Sequence, residues 1–136
     1  KQGLKILPHL ILMDDFIDNE IMNKKRSSLT KCFSQGRHFE TTIMVTSQTY
    51  MMLPSAVRKL SQYNIFFCPM NQKETKSIVQ ENCAWMTEKE FLKLLTETTK
   101  KKYDFLMVDF VDKRMLKNFD YVIAEPPKEE QKEEET

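Results

Sequence analysis

Glycine is nearly absent. The 136 residues contain two, Gly3 and Gly36, and neither supplies a G-x-x-x-x-G-K-[ST] segment. The row of backbone N–H groups with which such a loop cradles phosphates is therefore missing from this sequence. So few glycines also predict regular helices and strands joined by short polar turns. Cysteine is sparse as well: Cys32, Cys68 and Cys83 are widely spaced and form no C-x-x-C. They read as reduced thiols, mostly buried, of a cytosolic-type compartment. The histidines, His9 and His38, have no suitably spaced cysteine partners, which argues against a zinc site. No apolar run approaches the ~20 residues of a membrane span, and the opening residues do not read as a secretory signal, so no membrane partner is expected.

What is present is ordinary in bulk: 40% hydrophobic, 30% charged, with a formal net charge of +1. The length suits one domain with its own core. The small net charge hides an asymmetry. Residues 125–136 carry six acids and two lysines, net −4, which leaves residues 1–124 at +5. A mildly basic body permits contact with nucleic acid without demanding it. The acidic segment beyond Pro126 and Pro127 cannot bury enough apolar surface to fold and is expected to be disordered. The chain opens on Lys1 and runs almost directly into an apolar segment, so it reads as a fragment or processed product.

That segment carries the strongest signal. Leu10, Ile11, Leu12 and Met13 end abruptly in Asp14 and Asp15. An apolar run of this length reads as a buried strand. Burying carboxylates is costly, so the two acids belong at its end, where chemistry can use them. After it, Asp18 or Asn19 can cap a helix running to about Gln35, closed by Gly36. Residues 42–46 form a second strand, ending in Ser47, Gln48 and Thr49. Pro54 opens a short helix to about Gln62. Residues 64–68 form a third strand, stopped by Pro69. Asn71 with Glu74, and Thr87 with Glu90, are capping signatures for helices to about Asn82 and Thr98, and Lys100, Lys101 and Lys102 suit the negative end of the latter. Residues 105–108 begin a fourth strand, residues 112–114 a turn, and residues 119–123 a returning strand, giving a terminal β-hairpin.

Early strands separated by helices predict parallel β-α-β units and an α/β sheet. Functional groups in such sheets gather at the carboxyl ends of strands. Asp14 and Asp15 lie at one such end and Ser47 and Gln48 at the next. Asp14 can hold Mg²⁺ through its water shell, since that ion wants oxygen ligands and keeps much of its hydration. Asp15 can orient or deprotonate an attacking water. Gln48 offers a donor and an acceptor, which suits holding that water beside a phosphate. Arg37, just ahead of the second strand, can reach a phosphate on a neighbouring subunit.

Asp14 and Asp15, then Gly36, Arg37 and His38, then residues 43–50, Leu53 and Pro54 resemble the back half of the genome-packaging ATPases of large double-stranded DNA viruses, poxvirus-like members of the FtsK–HerA group of P-loop motors. The spacing of 11 residues from Arg37 to Gln48 fits that pattern, and the likeness extends over roughly residues 6–121. The resemblance implies a RecA-like fold, with residues 1–124 as a partial ATPase core. Asp14 would be the Walker B acid, Asp15 the catalytic carboxylate, Gln48 the sensor and Arg37 a finger acting in trans. It implies ATP and Mg²⁺ as ligands, double-stranded DNA as a sequence-independent partner, a homo-oligomeric ring, capsid or portal contact, and a place at virus assembly sites in the host cytoplasm or in the virion. Most motors of the wider group place Glu where Asp15 stands. The missing Walker A segment means that this chain alone should hold ATP poorly.

Plainer readings stand beside these. Asp14 and Asp15 can be a helix cap and a solvated acid, Gln48 a strand-end hydrogen-bonder, and Arg37 a surface cation. Arg58 is a second candidate finger, and His38 reads as structural. Lys24, Lys25 and Arg26 fit a solvated helix face or a DNA-contacting one. Tyr50, Met51 and Met52 fit a contact loop or core packing, and Trp85 a core anchor. Asp104, Asp109 and Asp112 do not share one strand face, which disfavours a metal nuclease. The alternative to a motor is a non-catalytic, structural or regulatory module without a P-loop.

Overall fold

The structure, a computed structural model, describes residues 7–15 and 28–127. The expected helix cap at Asp18 or Asn19, the lysines near 25 and the acidic segment from 128 lie outside the described residues. The chain divides into two compact units, residues 1–61 and 62–136.

In the first unit, β1 (His9–Met13) pairs in parallel with β2 (Thr41–Val45), with Met13 opposite Val45. Parallel strands need a crossover, and α1 (Ser28–Gln35) lies on it. Gly36 does not simply stop that helix. It starts a 3₁₀ turn, Gly36–Phe39, that feeds β2. A Cβ at Gly36 would stand 3.3 Å from the Thr41 carbonyl oxygen and from Ile43 Cδ1, so the absent side chain permits this close passage. A second 3₁₀ turn, Tyr50–Met52, precedes α2 (Ser55–Leu60), which starts after Pro54 as expected. Val57 is the centre of a small core, packed by Met13, Phe33, Val45 and Leu53. The strand holding Leu10 to Met13 is not buried as its composition predicts. Leu10 is 66% and Leu12 60% exposed, with Met44 at 50% on the same face. Among the described residues β1 has β2 as its single strand neighbour, so one face and one edge are without cover.

The second unit corrects the expected parallel sheet. β3 (Tyr63–Phe66), β4 (Leu106–Asp109), β5 (Arg114–Lys117) and β6 (Tyr121–Ala124) form a four-stranded sheet in chain order, antiparallel throughout. β3 had the composition of a further parallel strand, but pattern alone does not set direction. The crossover between β3 and β4 is long, holding both α3 (Gln72–Asn82) and α4 (Glu88–Thr98), and it returns the chain the opposite way. The terminal hairpin exists with one strand more than the sequence suggested. β5 is only four residues long and lies between turns built on positive-φ residues, Lys113 on one side and Asn118 and Phe119 on the other. The loop from Lys117 to its partner Tyr121 holds three residues, and the consecutive positive φ values at Asn118 and Phe119 are a turn geometry that Asn-Gly normally announces. Asn-Phe hides it.

Both helices begin as their capping signatures predict. Asn71 Oδ1 accepts the Glu74 N–H at 2.9 Å. Thr87 and Glu90 form the reciprocal box, with Thr87 N–H donating to Glu90 Oε2 at 2.9 Å and Glu90 N–H to Thr87 Oγ1 at 3.3 Å. Phe66, Ile78, Val79, Phe91, Leu95, Leu106, Val108, Met115 and Leu116 are buried. Asn82 is buried among them with its amide satisfied: Nδ2 donates to Ile78 O at 2.9 Å, and Oδ1 accepts from Asn64 Nδ2 at 2.7 Å, tying α3 to β3. Trp85 is half-buried rather than a core anchor, and the thiols are less buried than expected: Cys68 is exposed, while Cys32 and Cys83 are half-buried. Among the described residues no helix is long and apolar enough to cross a membrane.

Candidate functional site

The parallel register sets the site. Met13 stands opposite Val45, and Thr46 N–H donates to Met13 O at 2.9 Å, so the ladder continues one residue past β2. The next residues on each strand, Asp14 and Thr46, are thereby neighbours at the carboxyl edge. Asp14 Oδ1 accepts the Thr46 hydroxyl proton at 2.5 Å. The same Thr46 oxygen accepts the Asp15 N–H at 2.8 Å. Asp15 has φ 48°, in the left-handed region, which Asp tolerates better than most residues. Its Oδ2 accepts from Gln48 Nε2 at 2.9 Å. Ser47 turns the other way, and its hydroxyl donates to Thr49 O at 2.9 Å, closing the local turn.

Asp14, Asp15 and Gln48, which the sequence proposed as a group, are thus joined in one network by direct bonds or through Thr46. All four side chains are exposed, at an open edge that a ligand can reach. Thr46 is the residue that sequence reasoning missed. The signal was available: if strands 9–13 and 41–45 are parallel neighbours with level ends, position 46 must stand beside position 14.

The two candidate fingers lie on different elements. Arg37 lies on the 3₁₀ turn Gly36–Phe39 ahead of β2, and its side chain is outside what is described. Arg58 is turned onto its own loop: its guanidinium lies 5.1 Å from the Tyr50 ring centroid, and Nη1 donates to Leu53 O at 3.2 Å. Tyr50 itself is buried, whereas Met51 and Met52 are exposed.

The late acids serve the fold. Asp109 is 1% exposed and closes the β4–β5 turn, accepting from Val111 N–H at 2.9 Å, Asp112 N–H at 3.0 Å and Arg114 Nε at 3.1 Å. Burial pushes its pKa up, and those hydrogen bonds outweigh it, so the carboxyl stays below the usual range. Asp104 accepts from Asn118 Nδ2 at 2.9 Å and pairs with Lys117 at 3.0 Å, and these two partners, Asn118 foremost, hold its pKa down. Among the described residues no cluster of three His, Cys, Asp or Glu side chains could hold a metal ion.

No family model matches the chain. An uncharacterized protein of Acanthamoeba polyphaga mimivirus is 31% identical over 102 residues, covering 73% of this chain and 36% of that protein. The genome packaging NTPase of Sulfolobus turreted icosahedral virus 2 in complex with AMPPCP superposes with a TM-score of 0.63 at 17% identity, over 79% of this chain and 52% of that one. In its complex with sulfate the same NTPase gives 0.64 at 18% identity, over 87% and 54%. The DNA-packaging ATPase from Sulfolobus turreted icosahedral virus gives 0.63 at 17% identity, over 79% and 50%. The chain spans about half the length of these solved structures and about a third of the mimivirus relative. Its α/β fold is similar to that of about half of a viral genome packaging NTPase.

Proposed function

We propose that this chain is the acid-and-sensor half of a viral packaging ATPase, which couples ATP hydrolysis to translocation of double-stranded DNA into a capsid. The observation that carries this reading is the Gln48–Asp15 hydrogen bond, which joins the tips of two parallel strands at 2.9 Å. The likeness in fold to viral packaging NTPases supports it.

Asp14 is the candidate to order Mg²⁺. Its Oδ1 is committed to Thr46, which leaves Oδ2 for the hydration shell of the ion. The donor set fits a hard, oxygen-seeking cation. When bound, Mg²⁺ would neutralise charge developing on the phosphates. Asp15 takes the proton of the attacking water. Gln48, with Nε2 given to Asp15, keeps Oε1 to accept a hydrogen bond from that water and so fixes its direction. Arg37 would serve a neighbouring subunit, which requires a ring. The basic body suits sequence-independent contacts to DNA phosphates that weaken with salt. Virus assembly sites in the host cytoplasm, or the virion, would be its setting.

The sequence supplies no phosphate-cradling loop. That favours a second reading, a structural or regulatory module without catalysis. The coding sequence upstream of Lys1 decides between them. A G-x-x-x-x-G-K-[ST] segment within about one domain length supports the motor, and ATP hydrolysis by that longer protein is the direct test. A longer protein with the segment but no DNA-stimulated hydrolysis sinks the motor reading.

A further inference from the structure

We infer that Thr46 is a positioning residue that sets Asp14 and Asp15 for their chemistry. The inference rests on the roles proposed for those two acids.

A threonine hydroxyl has one proton to give. Thr46 gives it to Asp14 Oδ1 at 2.5 Å and takes the Asp15 N–H on the same oxygen at 2.8 Å. Among the described residues Thr46 Oγ1 is the one group bonded to both acids. Its own place is fixed by the backbone bond from Thr46 N–H to Met13 O at 2.9 Å, so the hydroxyl is an extension of the sheet and not a loose surface group. Asp14 and Asp15 are exposed, and among the described residues no packing around them locks their rotamers.

The bond to Asp15 has a further consequence. A left-handed φ of 48° is less costly for Asp than for most residues, but it still gains from a contact that holds it. The Asp15 N–H bond to Thr46 provides that hold. Turning the backbone this way brings the short Asp15 side chain across to Gln48 Nε2 at 2.9 Å. One hydroxyl therefore orients the cation-ordering acid directly and the water-activating acid through its backbone.

Thr46→Val removes the hydroxyl and keeps the shape, and Thr46→Ser keeps the hydroxyl. In this chain, amide hydrogen exchange at Asp15 should be about fivefold faster in the valine variant and unchanged in the serine variant. The Gln48 side-chain amide resonances should move toward those of free glutamine in the valine variant only. In a protein that also carries a phosphate-binding segment, Thr46→Val should lower kcat about a hundredfold with KM for ATP near wild type, and Thr46→Ser should restore turnover. Unchanged Asp15 exchange in the valine variant overturns the inference whatever the hydrolysis result. So does a valine variant with wild-type kcat, or a serine variant that fails as valine does. A wild-type protein that hydrolyses no ATP sinks the proposed function, and with it the purpose assigned to Thr46. An active wild type with an indifferent valine variant sinks the Thr46 inference alone.

Discussion

Gln48 Nε2 donates to Asp15 Oδ2 at 2.9 Å across a sequence separation of 33 residues. The contact exists because β1 and β2 run parallel and end level. It places a neutral amide against the carboxylate that would activate water, so the two groups can share a single water molecule between them.

Removing the Asp15 charge while keeping its shape tests that pairing. In a protein that includes a phosphate-binding segment, Asp15→Asn should leave nucleotide affinity near wild type and lower kcat by about two orders of magnitude or more. Equilibrium binding of a fluorescent nucleotide alongside single-turnover hydrolysis separates the two quantities. Normal turnover in the variant would remove Asp15 from the mechanism.

Arg37 makes a different kind of prediction, because a finger acts on the neighbouring subunit. Arg37→Ala should abolish hydrolysis in uniform rings. Mixing in a subunit that keeps Arg37 but carries Asp15→Asn should restore part of the activity, since each supplies what the other lacks at a shared interface. Mixed rings as inactive as either parent would return Arg37 to the surface cation that its position also allows.

The β4–β5 turn carries a pH-dependent share of stability. Asp109 has its folded pKa held below the unfolded value, so its contribution is present above about pH 4 and is lost as pH falls through the lower, folded value. Asp104 and Glu90 shift in the same direction, Glu90 through the hydrogen bonds from the Thr87 backbone and hydroxyl. Asp109→Ala should cost about 3 kcal/mol at neutral pH, because two backbone N–H groups and Arg114 lose their buried acceptor. Urea unfolding at a series of pH values should show wild type and variant converging on the acid side. Parallel curves would mean that the carboxylate does not carry this dependence.

Phe91 is fully buried on α4. Phe91→Ala should destabilise the second unit by about 3–5 kcal/mol through lost burial and the cavity left behind. Thr87→Ala, which removes only the cap of the same helix, should cost about 1 kcal/mol. Thermal or urea unfolding followed by the signal of Trp85 reads both, and equal effects would contradict the assigned burial.

Local chemistry made part of this fold legible. The starts of α3 and α4 follow from Asn71 with Glu74 and Thr87 with Glu90, because a cap is an interaction between residues three apart. Asp14, Asp15 and Gln48 could be named because apolar runs ended in polar groups at two strand ends. What failed were readings that needed a partner. The direction of β3, the existence of β5, and the exposure of Leu10 and Leu12 depend on which strand lies alongside, and composition does not encode that. The buried role of Asp109 was invisible for the same reason, since its acceptors are filled by a turn that forms only when β4 and β5 pair.

The residues of this chain determined by themselves which chemistry is possible: oxygen donors for a cation, an amide for a water, and no loop for phosphates. Tertiary structure decided which of them stand together. A hydrogen bond depends on ångström-scale placement, and only the parallel pairing of β1 with β2 brings Thr46, Asp14, Asp15 and Gln48 within that range.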